Sequence, residues 1–142
     1  AKYSDVLDSC LCLHLRQAAR VITQKLDDEI RSTGLRATQF TVLVVLAEYG
    51  SVPVTRLSDE VVADRTTLTR ILDRLEDQGY VVRKESKVDR RSRVVSPTAK
   101  GRSAVKRAMP KWARFHKELS AELGAVRVKR MNTDLTKVAH EA

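Results

Sequence analysis

Cysteine is scarce: the 142 residues hold two, at positions 10 and 12. Two cysteines so close together cannot frame a disulfide-stapled domain, and a reducing compartment is expected. The five glycines stand singly, so no phosphate-cradling loop exists. The three histidines, His14, His116 and His140, have neither i,i+4 spacing nor clustered cysteines beside them, which argues against a metal set. Serine, histidine and aspartate occur without an elbow or triad context. Catalysis and cofactors are therefore not expected. Long apolar runs are missing as well; the longest, Val42 to Ala47, is far short of the roughly 20 residues that span a bilayer. No basic start followed by an apolar stretch and a small-residue cleavage site is visible, so a cytoplasmic, membrane-free protein is expected.

What the chain has in quantity is positive charge. Lys and Arg number 27 against 18 Asp and Glu, a net of +9, with 42% apolar residues. That apolar content suffices for the core of one ordinary domain or one subunit of a small oligomer. A basic excess of this size points to a polyanion, nucleic acid first and an anionic membrane surface second. Its position is more telling than its total. Residues 1–64 have a net charge of −2, residues 65–107 of +8 and residues 108–142 of +3.

Leu7, Leu11, Leu15, Ile22, Leu26 and Ile30 keep to one helical stripe, which predicts an amphipathic helix over 5–31 with a stop at Gly34. Thr38 is the expected N-cap of a second helix, Gln39 to Tyr49, nearly continuous in apolar residues and hence buried. Pro53 limits Ser51 to Val54 to a short edge strand. Thr55 is placed to cap a third helix, Arg56 to Val62, and Asp64 a fourth, Arg65 to Gln78. In the fourth, Leu68, Ile71, Leu72 and Leu75 fall at i, i+3, i+4 and i+7, a single buried face, and Gly79 suits a left-handed cap. The period then changes: Tyr80 to Val82 and Arg93 to Val95 flank the charged stretch Lys84 to Arg91, a β-hairpin with a basic tip. Thr98 caps a fifth helix running past Pro110, which should kink it, to about Leu123; a sixth follows Gly124.

Only Ala63 and Asp64 join the third and fourth helices. This is a tight helix-turn-helix followed at once by a basic hairpin, the arrangement of a winged helix-turn-helix. A B-DNA major groove, about 12 Å wide, admits one α-helix. The helix that enters needs an apolar back and a front of short donors and long cations. Arg65, Thr66, Thr69, Arg70, Asp73 and Arg74 make that front, and the helix N-terminus aims backbone N–H groups at phosphate. The tip Lys87-Val88-Asp89-Arg90-Arg91 suits an adjacent minor groove.

The stretches 35–50 and 54–101 together resemble the MarR family of bacterial transcription regulators. The most specific element is Asp89-x-Arg91 followed by Val95-x-Pro97-Thr98-x-x-Gly101, with Pro97 where that family usually has Leu. The resemblance implies a mainly α fold with a small β-hairpin: a winged helix-turn-helix (35–97) between dimerisation helices (1–34 and 98–142) of an intertwined homodimer. It implies a sequence-specific regulator of double-stranded DNA, commonly a repressor released from a pseudo-palindromic operator by a small aromatic or anionic ligand. The DNA-contacting set is then Thr38, Arg65, Thr66, Thr67, Thr69, Arg70, Arg74, Lys87, Asp89, Arg90 and Arg91, with Asp89 orienting a neighbouring arginine.

Two sensing arrangements are open. His14 and Arg16 with Trp112, Phe115 and His116 would suit an anionic aromatic ligand. Cys12 stands where the organic-hydroperoxide-sensing branch has its reactive cysteine, although Leu26 and Ala37 replace the tyrosines expected to hold the thiolate. About 200° separates Cys10 from Cys12 around a helix, so they cannot pair without unwinding it. The rival to a specific regulator is an architectural protein that coats DNA without reading it.

Overall fold

The computed structural model describes residues 1–61, 64–88 and 93–141. The chain runs α1 (Tyr3–Ser9), α2 (Leu11–Ile30), a 3-10 turn (Arg31–Thr33), α3 (Ala37–Tyr49), β1 (Val52–Pro53), α4 (Val54–Val61), α5 (Arg65–Asp77), β2 (Val81–Glu85), β3 (Arg93–Pro97), α6 (Ala99–Leu123) and α7 (Ala125–Glu141). The three strands form an antiparallel sheet in the order β1-β3-β2, with Val95 facing both Val52 and Arg83 across the ladders. Pro53 thus sits on an edge strand, where its missing N–H costs no ladder bond.

The core lies where α3, α5 and the C-terminal part of α2 meet the sheet and the first half of α6. Leu43, Leu46, Leu57, Leu68, Leu72, Leu75 and Val95 are essentially inaccessible there. Burial of each such leucine contributes about 2–3 kcal/mol. The two strongest local signals hold. Asp64 caps α5, accepting from the Thr67 N–H at 2.8 Å, and Thr98 caps α6, accepting from the Gly101 N–H at 3.0 Å. Gly34 and Gly79 take positive φ of 82° and 78°, the left-handed backbone that ends the preceding helical segments.

Three expectations need correcting. The helix expected over 5–31 is broken at Cys10, whose ψ of 109° is extended. No residue of α1 is buried, and Leu7 and Leu11 are 64% and 58% exposed, so no packing on this chain holds the first turns in line with α2. Thr38 does not cap α3; the helix begins at Ala37. The Asp27 carboxylate of α2 accepts the Ala37 N–H, and the Gln39 side chain reaches back to the Arg36 N–H at 3.0 Å. A tertiary carboxylate has taken over the cap. Thr55 likewise stands inside the first turn of α4, because the chain passes straight from Pro53 into helix. As expected, α6 runs past Pro110 to Leu123, one element of 25 residues.

Candidate nucleic-acid interface

Helix α5 is presented by its back. Leu68, Leu72 and Leu75 are buried and Ile71 is half-buried, which leaves Thr66, Thr69 and Arg70 exposed on the outer side, with Arg65 exposed at the first turn and Arg74 at the flank. At its N-terminus the Asp64 carboxylate also accepts the Thr67 hydroxyl at 2.7 Å. These bonds from Thr67 hold the Asp64 carboxyl below its ordinary range. The Thr67 hydroxyl is therefore committed to the cap, and the Thr69 hydroxyl donates to the Arg65 carbonyl at 2.8 Å. The three arginines are different: among the described residues, Arg65, Arg70 and Arg74 form no ion pair. Three exposed cations with no acidic partner among the described residues can meet an anion without first releasing an internal partner.

The far end of α5 is pinned from two sides. Buried Gln39 of α3 donates from Nε2 to Gln78 Oε1 at 2.9 Å, and exposed Thr38 immediately precedes it. On the other side stands Arg83 of β2, a residue that charge counting passes over. Its guanidinium donates to Asp73 Oδ1 at 2.6 Å and to both Glu76 oxygens at 3.1 and 3.2 Å, and its backbone N–H also meets Glu76 at 3.1 Å. The Arg83 side chain is 17% exposed. Its hydrogen bonds to Glu76, more than its charge, pull the Glu76 carboxyl below the ordinary range, and the same contacts raise Arg83 itself. Asp73, expected on the free front, is thereby taken up by the wing strand. A signal existed: Arg83 shares the inward parity of Val81 in β2, and an inward arginine needs an acidic partner.

Of the wing tip, Lys87 is exposed and Val88 is 96% exposed. Asp89, Arg90 and Arg91 lie outside the described residues.

Residues 35–92 match the MarR family model. The chain is similar to the solved structure of the Mycobacterium tuberculosis transcriptional regulator MosR in complex with DNA, with a TM-score of 0.81, 34% identity and coverage of 92% of this chain and 96% of that one. The chain belongs to the MarR family. Its similar relatives are transcription regulators, not enzymes. The transcriptional repressor MprA of Escherichia coli K12 is 30% identical over 110 residues, 76% of this chain and 61% of that one. The organic hydroperoxide resistance transcriptional regulator of Bacillus subtilis 168 is 30% identical over 95 residues, 67% of this chain and 65% of that one. The matched stretch thus spans somewhat under two thirds of these two relatives.

The effector candidates of this MarR-family chain do not converge within the one chain. Trp112 borders an open cleft of about 490 Å³ with Phe40, Val44, Val45, Val61 and Met109, and His116 stacks on it at 5.1 Å. Phe115 faces a different hollow, beside Lys25, Glu29 and Glu118. His14 and Arg16 are exposed on α2 and line neither. Cys10 is half-buried and Cys12 exposed, both as free thiols. Among the described residues no three His, Cys, Asp or Glu side chains gather as a metal set. No described helix is long and apolar enough to cross a membrane.

Proposed function

We propose that this chain is a sequence-specific double-stranded DNA-binding transcription regulator that works as a homodimer. The observation that carries the reading is the exposed surface of α5, where Arg65, Arg70 and Arg74 have no acidic partner among the described residues, on a helix locked at both ends. Such a helix fits a major groove with its arginines available to guanine edges and phosphates. Thr38 on α3 and Lys87 with Asp89, Arg90 and Arg91 on the wing complete the contact set. The homodimer reading is supported by uncovered apolar side chains at both ends of the chain: Leu7 and Leu11, then Met131, Leu135 and Val138. A second copy is the economical cover for them. Repression is the mode supported by the resemblance to MprA, a transcriptional repressor.

Two modes of release have support. The apolar cleft beside Trp112 suits a small aromatic effector, with the His14 and Arg16 side of the set supplied by the partner subunit. Exposed Cys12, together with the resemblance to the organic hydroperoxide resistance regulator, supports an oxidant-responsive alternative.

Selection of bound duplexes from a randomised DNA pool tests the central claim. An enriched inverted repeat with half-sites about one helical turn apart is the expected result. Binding without enrichment overturns it in favour of an architectural coat on DNA. The enriched duplex then serves to screen aromatic acids and a hydroperoxide for release, with Cys12→Ser separating the two modes.

A further inference from the structure

Helix α6 bears a charge distribution that its own fold does not use. Residues 99–117 hold seven Lys and Arg and no Asp or Glu, whereas the remainder of the helix has Glu118 and Glu122. Two of the seven have internal work. Lys100 donates to the Gln78 carbonyl at 2.8 Å and lies 5.3 Å over the Tyr80 ring, and Arg114 pairs with Glu29 and Glu118. Arg102, Lys106, Arg107 and Lys111 are exposed or half-exposed and have no acidic partner among the described residues.

This arrangement works against the helix. Arg102–Lys106 and Arg107–Lys111 are like-charged i,i+4 neighbours, which repel. Cations near a helix N-terminus also oppose the macrodipole. A segment that bears both costs without internal return is where a partner is expected to supply the compensation. Its placement says which partner. The first turn of α6 is bolted to the C-terminal end of α5, through Lys100 to the Gln78 carbonyl and through the Thr98 hydroxyl to the Gly79 carbonyl at 2.6 Å. The basic surface therefore starts where the candidate DNA-reading helix and wing strands end. From Thr98, Arg102 and Lys106 rise roughly 6 and 12 Å along the helix axis.

We infer that the exposed cations of α6, Arg102, Lys106, Arg107 and Lys111, form a second phosphate-binding surface that engages the DNA backbone flanking the sequence read by α5. This rests on the DNA-binding reading above and extends it: α5 selects the site, and α6 lengthens the footprint without adding sequence preference. The contact is electrostatic and follows counterion release.

The test uses the full chain and two duplexes, the pool-selected site alone and the same site with about ten arbitrary base pairs added on each side, roughly one further helical turn. The wild type is expected to bind the extended duplex on the order of tenfold tighter near 0.1 M salt, with a salt slope steeper by about 2–4, one increment of about 0.9 per added phosphate contact. The combined Arg102→Gln, Lys106→Gln, Arg107→Gln and Lys111→Gln variant is expected to lose that gain and keep its affinity for the short duplex. The pair Arg102→Gln/Lys106→Gln alone, checked by thermal melting, serves where the fourfold change perturbs folding. An equal gain in wild type and variant, or no gain in the wild type, overturns the inference. Capture of polyglutamate by the wild type alone, with no flank effect, overturns it in favour of an acidic protein partner. A pool that yields no preferred site, while length-dependent binding still needs α6, defeats the specific-regulator reading and leaves this surface standing.

Discussion

Replacement of Arg83 by glutamine is the most informative perturbation of the candidate DNA-reading unit. The wild-type guanidinium spans two carboxylates of α5, Asp73 at 2.6 Å and Glu76 at 3.1 Å, from a side chain only 17% exposed. Hydrogen bonds between charged partners contribute about 1.5–3 kcal/mol when sheltered. Asp73 and Glu76 are 55% and 41% exposed and regain water once Arg83 is gone. Screening therefore reduces the expected loss to about 1–2 kcal/mol, or roughly 3–6 °C in Tm for a chain of this size. The pH dependence has a defined sign. Arg83 holds the Glu76 carboxyl below its ordinary value of 4.5. The associated stability is whole above that value and disappears as the pH falls through the lowered folded one. The melting temperature of Arg83→Gln should accordingly fall less steeply than that of the wild type on acidification through this range. Function should suffer as well. The stretch Asp73 to Asp77 holds three carboxylates and one arginine, so without Arg83 it turns an excess of negative charge toward phosphate. About a fivefold loss of DNA affinity is expected, from roughly 1 kcal/mol of exposed like-charge repulsion. Adding Asp73→Asn and Glu76→Gln should recover the affinity but not the stability. Melting and DNA binding both unchanged in Arg83→Gln, or a triple variant as weak on DNA as the single one, would refute this account of the clamp.

Further tests follow from the same geometry. A Cβ at Gly101 would lie 2.1 Å from the Tyr80 carbonyl oxygen, which already accepts the Thr98 N–H at 3.0 Å, so Gly101→Ala must displace backbone. It should lower the urea midpoint by more than Gly34→Ala, which meets open space and bears only the strain of its positive φ, about 1–2 kcal/mol. Leu72→Ala removes a side chain 1% exposed behind the candidate DNA-reading face and should cost about 2–5 kcal/mol by chemical denaturation. Arg70→Ala, on the outer face of α5, should relax sequence preference in a repeat of the pool selection. Arg90→Ala should instead weaken binding to most sequences and reduce the salt slope by about 1; equal loss on all DNA for both variants would remove α5 from the reading role.

How far the fold could be read from the residues depended on the range of the interaction that decides each feature. Asp64 and Thr98 act on amides three residues away, and the leucines of α5 repeat at the helical period, so local spacing alone locates the helix-turn-helix and the start of α6. The cap of α3 escapes the same reasoning, because the acceptor that replaces Thr38 is Asp27, ten residues back on another helix. The break at Cys10 escapes it too: one extended ψ leaves the apolar stripe intact, and a stripe records which residues face inward, not whether anything lies there to receive them. Arg83 is an intermediate case. Its charge was visible and its parity in β2 was visible, but its partners belong to the helix one turn earlier in the chain. Asp73, spaced as part of the free front, could be reassigned only when strand and helix were seen side by side. The effector residues mark the limit. Trp112 with His116, Phe115, and His14 with Arg16 occupy separate surfaces of a single subunit, and the uncovered Leu7, Leu11 and Leu135 lie at the same two ends of the chain. The homodimer and the effector cavity are thus one question. A second copy that covers those leucines is the remaining means of bringing His14 and Arg16 to the tryptophan, and a Leu11→Asp/Leu135→Asp variant that stays dimeric by sedimentation would separate the two.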